Sequence, residues 1–153
     1  MSADLTYYIR EGVLVGVIGR RMLHMTALSG GAGGSTKTSG TDAVNNPYME
    51  GLKTSGTAGS PFHVHGGPLP PGKYVVRTLS HHSHLGLCAR LEHPRFRPMG
   101  RDGFYIHSRG PHGSDGCIVP LDRTQFDSLM KALSESHGGT LFVEETDDAT
   151  RYA

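Results

Sequence analysis

Cys117, one of two cysteines in the chain, lies in a polar, glycine-containing loop between Gly116 and the apolar pair Ile118-Val119. A thiol attacks a carbonyl carbon only as the thiolate, so a nucleophilic cysteine needs a nearby base and a turn that exposes its sulfur. His107 and His112 both precede Cys117 at short range, and the residues alone do not choose between them as the base. This pattern predicts a Cys/His hydrolase or transferase, with a structural loop thiol as the alternative.

The turn before Cys117 supplies the other groups that acyl transfer needs. Gly113 and Gly116 permit a close backbone approach, and the N–H groups of Gly116 and Cys117 are predicted donors to a tetrahedral oxyanion.

Two histidine clusters, His63-Val64-His65 and His81-His82-Ser83-His84, raise a metal hypothesis because neutral imidazoles at short spacing can share one ion. Two histidines separated by one residue can bind the same ion only if their segment is extended. The sequence ties no carboxylate or thiolate to either cluster, and both lie in turn-rich stretches. We therefore predict solvated loop histidines, with no metal or cofactor.

Composition indicates one turn-rich β domain spanning residues 1–153. The chain has 22 glycines and nine prolines, its charged residues are 19% of the total, and its formal net charge is +1. No strong field favours nucleic acid as a partner. Two cysteines do not form a disulfide framework, and a bridge between Cys88 and Cys117 is not expected.

The first eight residues lack the basic start and apolar core of a signal peptide, and the apolar run from Val13 to Ile18 is too short to span a bilayer. We expect a chain made in the cytoplasm, without membrane insertion.

Several β-rich runs must position the cysteine loop. Glu11-Gly12 is the type of two-residue break that closes a hairpin. Leu85, Leu87, Ala89 and Leu91 alternate with smaller or polar residues, which places Cys88 on the opposite face of a strand. The predicted strands are Leu5–Arg10, Val13–Ile18, Met22–Leu28, Tyr74–Thr78, Leu85–Leu91, Phe104–His107, Ile118–Val119 and Thr140–Val143.

One helix and two irregular segments complete the predicted organisation. Phe126, Leu129, Met130 and Leu133 share one helical face, after a capping-box pattern at Asp122 and before a stop at Gly138-Gly139. Residues 29–60 are rich in Gly and Ser and are interpreted as a functional lid or a mobile insertion. The acidic tail, residues 144–153, is expected to be loosely held.

The cysteine loop also carries a family resemblance. His107-Ser108 followed by Ser114-Asp115-Gly116-Cys117-Ile118 resembles the histidine and Ser/Thr-x-Gly-Cys motif of the L,D-transpeptidase (YkuD-type) catalytic domain. Two upstream blocks, Gly67–Tyr74 and Gly100–His107, resemble strands of that family, and the likeness covers most of residues 5–143. The resemblance implies a mostly β, sandwich- or barrel-like fold with one C-terminal amphipathic helix. It also implies that the substrate is the peptidoglycan stem tetrapeptide.

By position, the resemblance implies Cys117 as nucleophile, His107 as base, and Ser108 as the residue that orients the imidazole through its carbonyl or hydroxyl. Ser114 would shape the turn. Asp115 replaces the histidine of commoner family members, and its carboxylate would raise the thiol pKa unless it points away or is paired. The predicted substrate-binding residues are Arg101, Arg109, His112 and Tyr105.

The interval of ten positions between His107 and Cys117 is similar to that of antibacterial L,D-transpeptidase effectors of type VI secretion systems. The resemblance thus implies export through secretion machinery, action in the periplasm of target bacteria, and a cognate immunity protein. Two alternatives remain: a peptidoglycan-binding module of the same fold with impaired chemistry, and a histidine-rich metal-dependent hydrolase.

Overall fold

The computed structural model describes residues 2–57, 60–93 and 98–147. Within them, eight strands form one closed barrel in the order β1-β2-β3-β7-β6-β5-β4-β8. The pairs β1–β8 and β6–β7 are parallel, and the other pairs are antiparallel. The strands are β1 Ala3–Tyr8, β2 Val13–Ile18, β3 Arg21–Ser29, β4 Gly72–His82, β5 Gly86–Glu92, β6 Phe104–Ile106, β7 Ile118–Pro120 and β8 Gly139–Glu144, and the helix is α1 Arg123–Ser134.

This architecture confirms the predicted fold class, mostly β with one C-terminal helix. The predicted helical face is buried: Phe126, Leu129, Met130 and Leu133 are each at most 3% exposed and pack on the same core as the strands. Burial of an apolar side chain stabilises by about 1.5–3 kcal/mol, so this face fixes α1 against the barrel. No helix among the described residues is long and apolar enough to cross a membrane.

The first hairpin differs from its predicted form. β1 ends at Tyr8 and pairs with Val13, which leaves a four-residue loop rather than a two-residue one. The reason is that the N–H groups of Ile9 and Arg10 donate to the carbonyls of residues 144 and 145 instead of continuing the pairing with β2.

The ends of α1 also differ in detail. The Asp122 side chain accepts from the Gln125 N–H at 2.9 Å, but the Gln125 amide donates to the His24 carbonyl, so only half of the capping box forms. The helix ends at Ser134, earlier than the predicted glycine pair, and Gly139 begins β8.

The acidic tail is tied down over its first residues. Thr146 Oγ1 donates to one oxygen of the Glu11 carboxylate and the Asp147 N–H to the other, each at 2.9 Å. Residues 146 and 147 are thus hydrogen-bonded to Glu11, and the remainder of the predicted loose tail lies outside the described residues.

The start of the Gly/Ser-rich segment is a packed wall. Residues 30–35 are all buried, and they run beside residues 110–114. The Ala32 N–H donates to the Ser114 carbonyl at 2.8 Å, and the Ser114 N–H donates to the Gly33 carbonyl at 2.9 Å. These hydrogen bonds join the start of the Gly/Ser-rich segment to the loop that carries Cys117.

Candidate active site

Strand register brings Cys117 and His107 to one face of the sheet. Ile106 of β6 pairs in parallel with Ile118 of β7, and both isoleucines point into the core with no exposed surface. Since side chains alternate along an extended chain, Cys117, directly before β7, and His107, directly after β6, both point away from the core at diagonal positions. The half-exposed Tyr105 shares this face.

A backbone contact fixes the tautomer of His107. Its Nδ1 lies 2.8 Å from the carbonyl oxygen of Ser108. A carbonyl only accepts, so Nδ1 carries the proton and Nε2 presents a free lone pair. The imidazole is nearly fully buried, and this burial lowers its pKa against the opposing effect of the Ser108 hydrogen bond. His107 is therefore neutral at pH 7 and able to accept a proton at Nε2.

The thiol of Cys117 is partly buried and protonated at rest. Loss of solvation raises its pKa to about 12, a hydrogen bond with the Tyr105 backbone opposes the rise, and the Asp115 carboxylate adds to it. With His107 neutral, the site holds a thiol and an imidazole rather than a preformed ion pair. Proton transfer must then accompany attack on the substrate.

Cys88 is a second free thiol on the same face. Ala89 of β5 pairs with Ile106, which places the preceding Cys88 beside His107. As predicted from the alternation in β5, it lies opposite the core-facing leucine at 91. It is fully buried, and its Sγ lies 3.7 Å from the Ser80 carbonyl oxygen, so it packs as a small apolar group.

The hydroxyl of Ser114, which is fully buried, holds the turn before Cys117. Its Oγ accepts from the N–H of Gly30 at 2.9 Å and from the N–H of Gly116 at 3.1 Å, and it donates to the Cys117 carbonyl. The prediction of Gly116 N–H as an oxyanion donor is therefore wrong, because that N–H is already engaged. The Cys117 N–H is left as the candidate donor.

Arg101, predicted to bind substrate, has a different role in the structure. Its guanidinium is buried, and Nη1 donates to the carbonyls of Glu50 and Pro68 at 2.5 and 2.8 Å. Nη2 donates to the carbonyls of Gly67 and Asp115 at 2.7 and 2.9 Å. The side chain thus ties three loops together behind the site, which corrects the predicted role.

Arg109 and His112 lie on the exposed side of the loop. Arg109 Nε and Nη2 donate to the carbonyls of Gly34 and Ser35 at 3.3 and 3.1 Å, so the guanidinium is anchored at the surface. His112 lines an open pocket of about 290 Å³ together with Asp115. Both residues remain accessible to a substrate.

Asp115 turns toward the first histidine cluster. Its Oδ1 lies 2.7 Å from Nδ1 of His65, and its Oδ2 lies 3.8 Å from Nε2 of His63. The prediction of solvated histidines without a carboxylate partner is wrong at this cluster. Asp115 is paired, yet its charge still contributes to the raised pKa of the Cys117 thiol.

This face of the sheet carries a thiol, a neutral imidazole with an oriented tautomer and a backbone N–H, which are the groups that thiol acyl transfer uses. Sequence reasoning missed the supporting wall at residues 30–35 and the partners of Asp115. The sequence feature that could have indicated this wall is its run of glycines, which permit close packing. At Gly34 a Cβ would lie 2.5 Å from a methyl carbon of Val119.

Comparisons with known proteins establish the fold. No family model matches the chain, and none of the curated proteins is detectably similar. Among solved structures, the helical cell shape determining protein Pgp2 from Campylobacter jejuni matches with a TM-score of 0.57 and 14% identity, over 95% of this chain and 48% of Pgp2. Its K307A mutant gives 0.58 and 13%, over 95% and 47%.

An L,D-transpeptidase from Mycobacterium tuberculosis H37Rv matches with a TM-score of 0.49 and 13% identity, over 94% of this chain and 57% of that protein. The chain thus spans about half the length of the solved structures it matches. At 13–14% identity, the likeness to Pgp2 shows a shared fold.

Proposed function

We propose that this chain is a peptidoglycan-modifying cysteine enzyme, an L,D-transpeptidase or L,D-carboxypeptidase acting on stem tetrapeptides. The observation that carries the proposal is the placement, on one face of the sheet, of Cys117 and a neutral His107 whose Nδ1–H is held by the Ser108 carbonyl. The motifs around these residues resemble the L,D-transpeptidase domain, and the fold is shared with a protein that determines cell shape.

Acylation would begin when Nε2 of His107 takes the thiol proton and Sγ of Cys117 attacks the carbonyl carbon of the L-centre. The resulting oxyanion accepts a hydrogen bond from the Cys117 N–H. Collapse breaks the C–N bond to D-alanine, and the imidazolium returns its proton to the leaving amine. A thioester on Cys117 remains.

The acceptor then determines the product. Water gives carboxypeptidase activity, a D-amino acid gives exchange, and the amine of another stem gives a cross-link. Arg109, exposed beside the loop, and His112, in the pocket with Asp115, are proposed to contact the substrate. Tyr105 shares the face of the nucleophile and is proposed to pack against the stem peptide.

We also propose that the chain is an antibacterial effector delivered to the periplasm of a target cell, with secretion machinery and a cognate immunity protein as partners. This part rests on the motif resemblance and on the short interval between His107 and Cys117. Expression directed to the periplasm should lyse or deform cells only when Cys117 is intact. Equal toxicity of Cys117→Ala would oppose it.

Digestion of purified tetrapeptide muropeptides tests the enzymatic proposal. The native chain is expected to release D-alanine, and Cys117→Ala and His107→Ala are expected to release none. Cys88→Ala is the matched control, since it removes the other thiol on the same face and should retain activity. Normal release by Cys117→Ala would refute the proposal. Failure of a carbapenem to acylate Cys117 would favour a binding module instead.

A further inference from the structure

A group of three potential metal ligands lies beside the cysteine loop. A ring nitrogen of His63, a ring nitrogen of His65 and a carboxylate oxygen of Asp115 all lie within 4.8 Å of one another. Nδ1–H of His65 donates to Asp115 Oδ1 at 2.7 Å, and an ion bound at that nitrogen would displace this proton. The three side chains are partly buried, with exposed fractions of 10%, 26% and 37%. Two imidazoles and one carboxylate are a ligand set that suits Zn²⁺ with an open fourth position.

The backbone prepares the two histidines for a shared ligand. Val64, between them, pairs with Ser55: the Val64 N–H donates to the Ser55 carbonyl at 2.8 Å, and the Ser55 N–H donates to the Val64 carbonyl at 3.1 Å. This bridge holds the segment extended, so His63 and His65 project to the same side. Their ring centroids lie 4.5 Å apart.

The hydrogen bond of the second ring nitrogen of His63 also supports a metal site. Its Nδ1 lies 3.3 Å from the carbonyl oxygen of Gly56, which only accepts, so Nδ1 carries a proton. In the neutral ring, the lone pair of Nε2 then faces the Asp115 carboxylate at 3.8 Å. Two electron-rich groups in this position repel each other unless a proton or a metal ion lies between them. A histidine that ligates a metal usually donates its other N–H in this way.

Asp115 is held in place from the other side. Its carbonyl accepts from Nη2 of Arg101 at 2.9 Å, which fixes the backbone of the loop while the carboxylate turns toward the histidines. The pocket of about 290 Å³ beside the three residues gives an ion and its water access from solvent.

We propose that His63, His65 and Asp115 bind a divalent transition metal ion, with Zn²⁺ as the best match to the donor set. The ion links the 63–65 segment to the loop that carries Cys117, two residues after Asp115. Because binding favours the folded state, the ion raises the melting temperature in a concentration-dependent manner. The proposal is independent of the reaction assigned to Cys117.

Equilibrium dialysis of the untagged full-length chain against Zn²⁺, after chelator treatment, tests the proposal. The expected result is one equivalent of tightly bound zinc per chain and an increased melting temperature. A Co²⁺ titration should give the intense visible absorption of a tetrahedral site. Less than one equivalent, or binding without thermal stabilisation, would overturn the proposal.

Variants locate the site. Removal of an outer-shell partner typically weakens metal binding roughly 10–100-fold, so loss of a direct ligand in His63→Ala, His65→Ala or Asp115→Asn should weaken it at least as much. His84→Ala is the control, because His84 belongs to the other histidine cluster and should leave binding unchanged. If His84→Ala lost zinc binding while the other three variants retained it, the ion would be bound elsewhere and the proposed site would be wrong.

Cys117→Ser separates this site from the reactive thiol. Retained zinc binding is expected, because the three ligands remain. If binding disappears with the thiol, the ion is held by the nucleophile and the proposal is wrong. Absence of zinc binding together with normal D-alanine release would overturn the metal site and leave the proposed function intact.

Discussion

Substitution of Ser114 by alanine should destabilise the protein far more than its size suggests. The substitution removes one oxygen, but that oxygen is the shared partner of the N–H groups of Gly30 and Gly116 and of the Cys117 carbonyl. Ser114 is 0% exposed, so water cannot replace the hydroxyl without rearrangement of the turn.

The expected magnitude follows from the three groups left without a partner. Each unsatisfied buried donor or acceptor costs about 1–3 kcal/mol, which gives about 3–9 kcal/mol for three groups. Because losses above about 4–5 kcal/mol are exceptional for one substitution, we expect a loss of about 3–5 kcal/mol in the free energy of unfolding. For a chain of this size, 1 kcal/mol shifts the melting temperature by about 2–4 °C, so a loss of 3 kcal/mol corresponds to roughly 6–12 °C.

Urea denaturation followed by circular dichroism measures this loss directly. Ser134→Ala is the matched control, because it removes an exposed hydroxyl that donates to the Lys131 carbonyl near the end of α1. That control should change the stability by no more than about 0.5 kcal/mol. If Ser114→Ala is as stable as Ser134→Ala, the account of the turn is wrong.

Three further predictions follow from the same geometry. The rate of D-alanine release should fall on the acid side below pH 6.5, the ordinary pKa of histidine, because burial lowers the pKa of His107 and its basic form persists to lower pH. A fall that begins above pH 6.5 would oppose the assignment of His107 as the base. Arg101→Lys should lower the free energy of unfolding by at least about 3 kcal/mol in urea denaturation, since an ammonium cannot reproduce the four charged hydrogen bonds. Unchanged stability with a raised KM would instead return Arg101 to substrate binding. Gly116→Ala should reduce both stability and activity, because the φ of Gly116 is +133° and a Cβ there would lie 2.6 Å from a ring carbon of Phe104. Gly110→Ala is the control, since a Cβ at Gly110 meets nothing within 4 Å. Equal stability and activity of the two variants would contradict this description of the packing at Gly116.

Local periodicity was sufficient to predict most of the fold. Val13–Ile18 forms β2 with its predicted bounds, and alternation in β5 correctly placed Cys88 on the face away from the core. The helical spacing of four apolar residues likewise predicted the buried face of α1. These patterns depend on neighbours along the chain, which the sequence displays directly.

Contacts between distant segments were not accessible in the same way. Asp115 and His65 are 50 positions apart, and nothing in either local pattern indicates their 2.7 Å contact. Arg101 was predicted to bind substrate, but its partners are backbone carbonyls, which every residue possesses. Side-chain chemistry in the sequence therefore indicated candidate functional groups, whereas the closed barrel determined which of those groups are in contact.

Intact-protein mass spectrometry during turnover of a tetrapeptide stem tests whether Cys117 is the nucleophile. We expect a transient adduct of the stem minus D-alanine, mapped by digestion to Cys117, absent in Cys117→Ser and unaffected by Cys88→Ala. Release of D-alanine without any adduct, or an adduct that persists in Cys117→Ser, would contradict the assignment of Cys117 as the nucleophile.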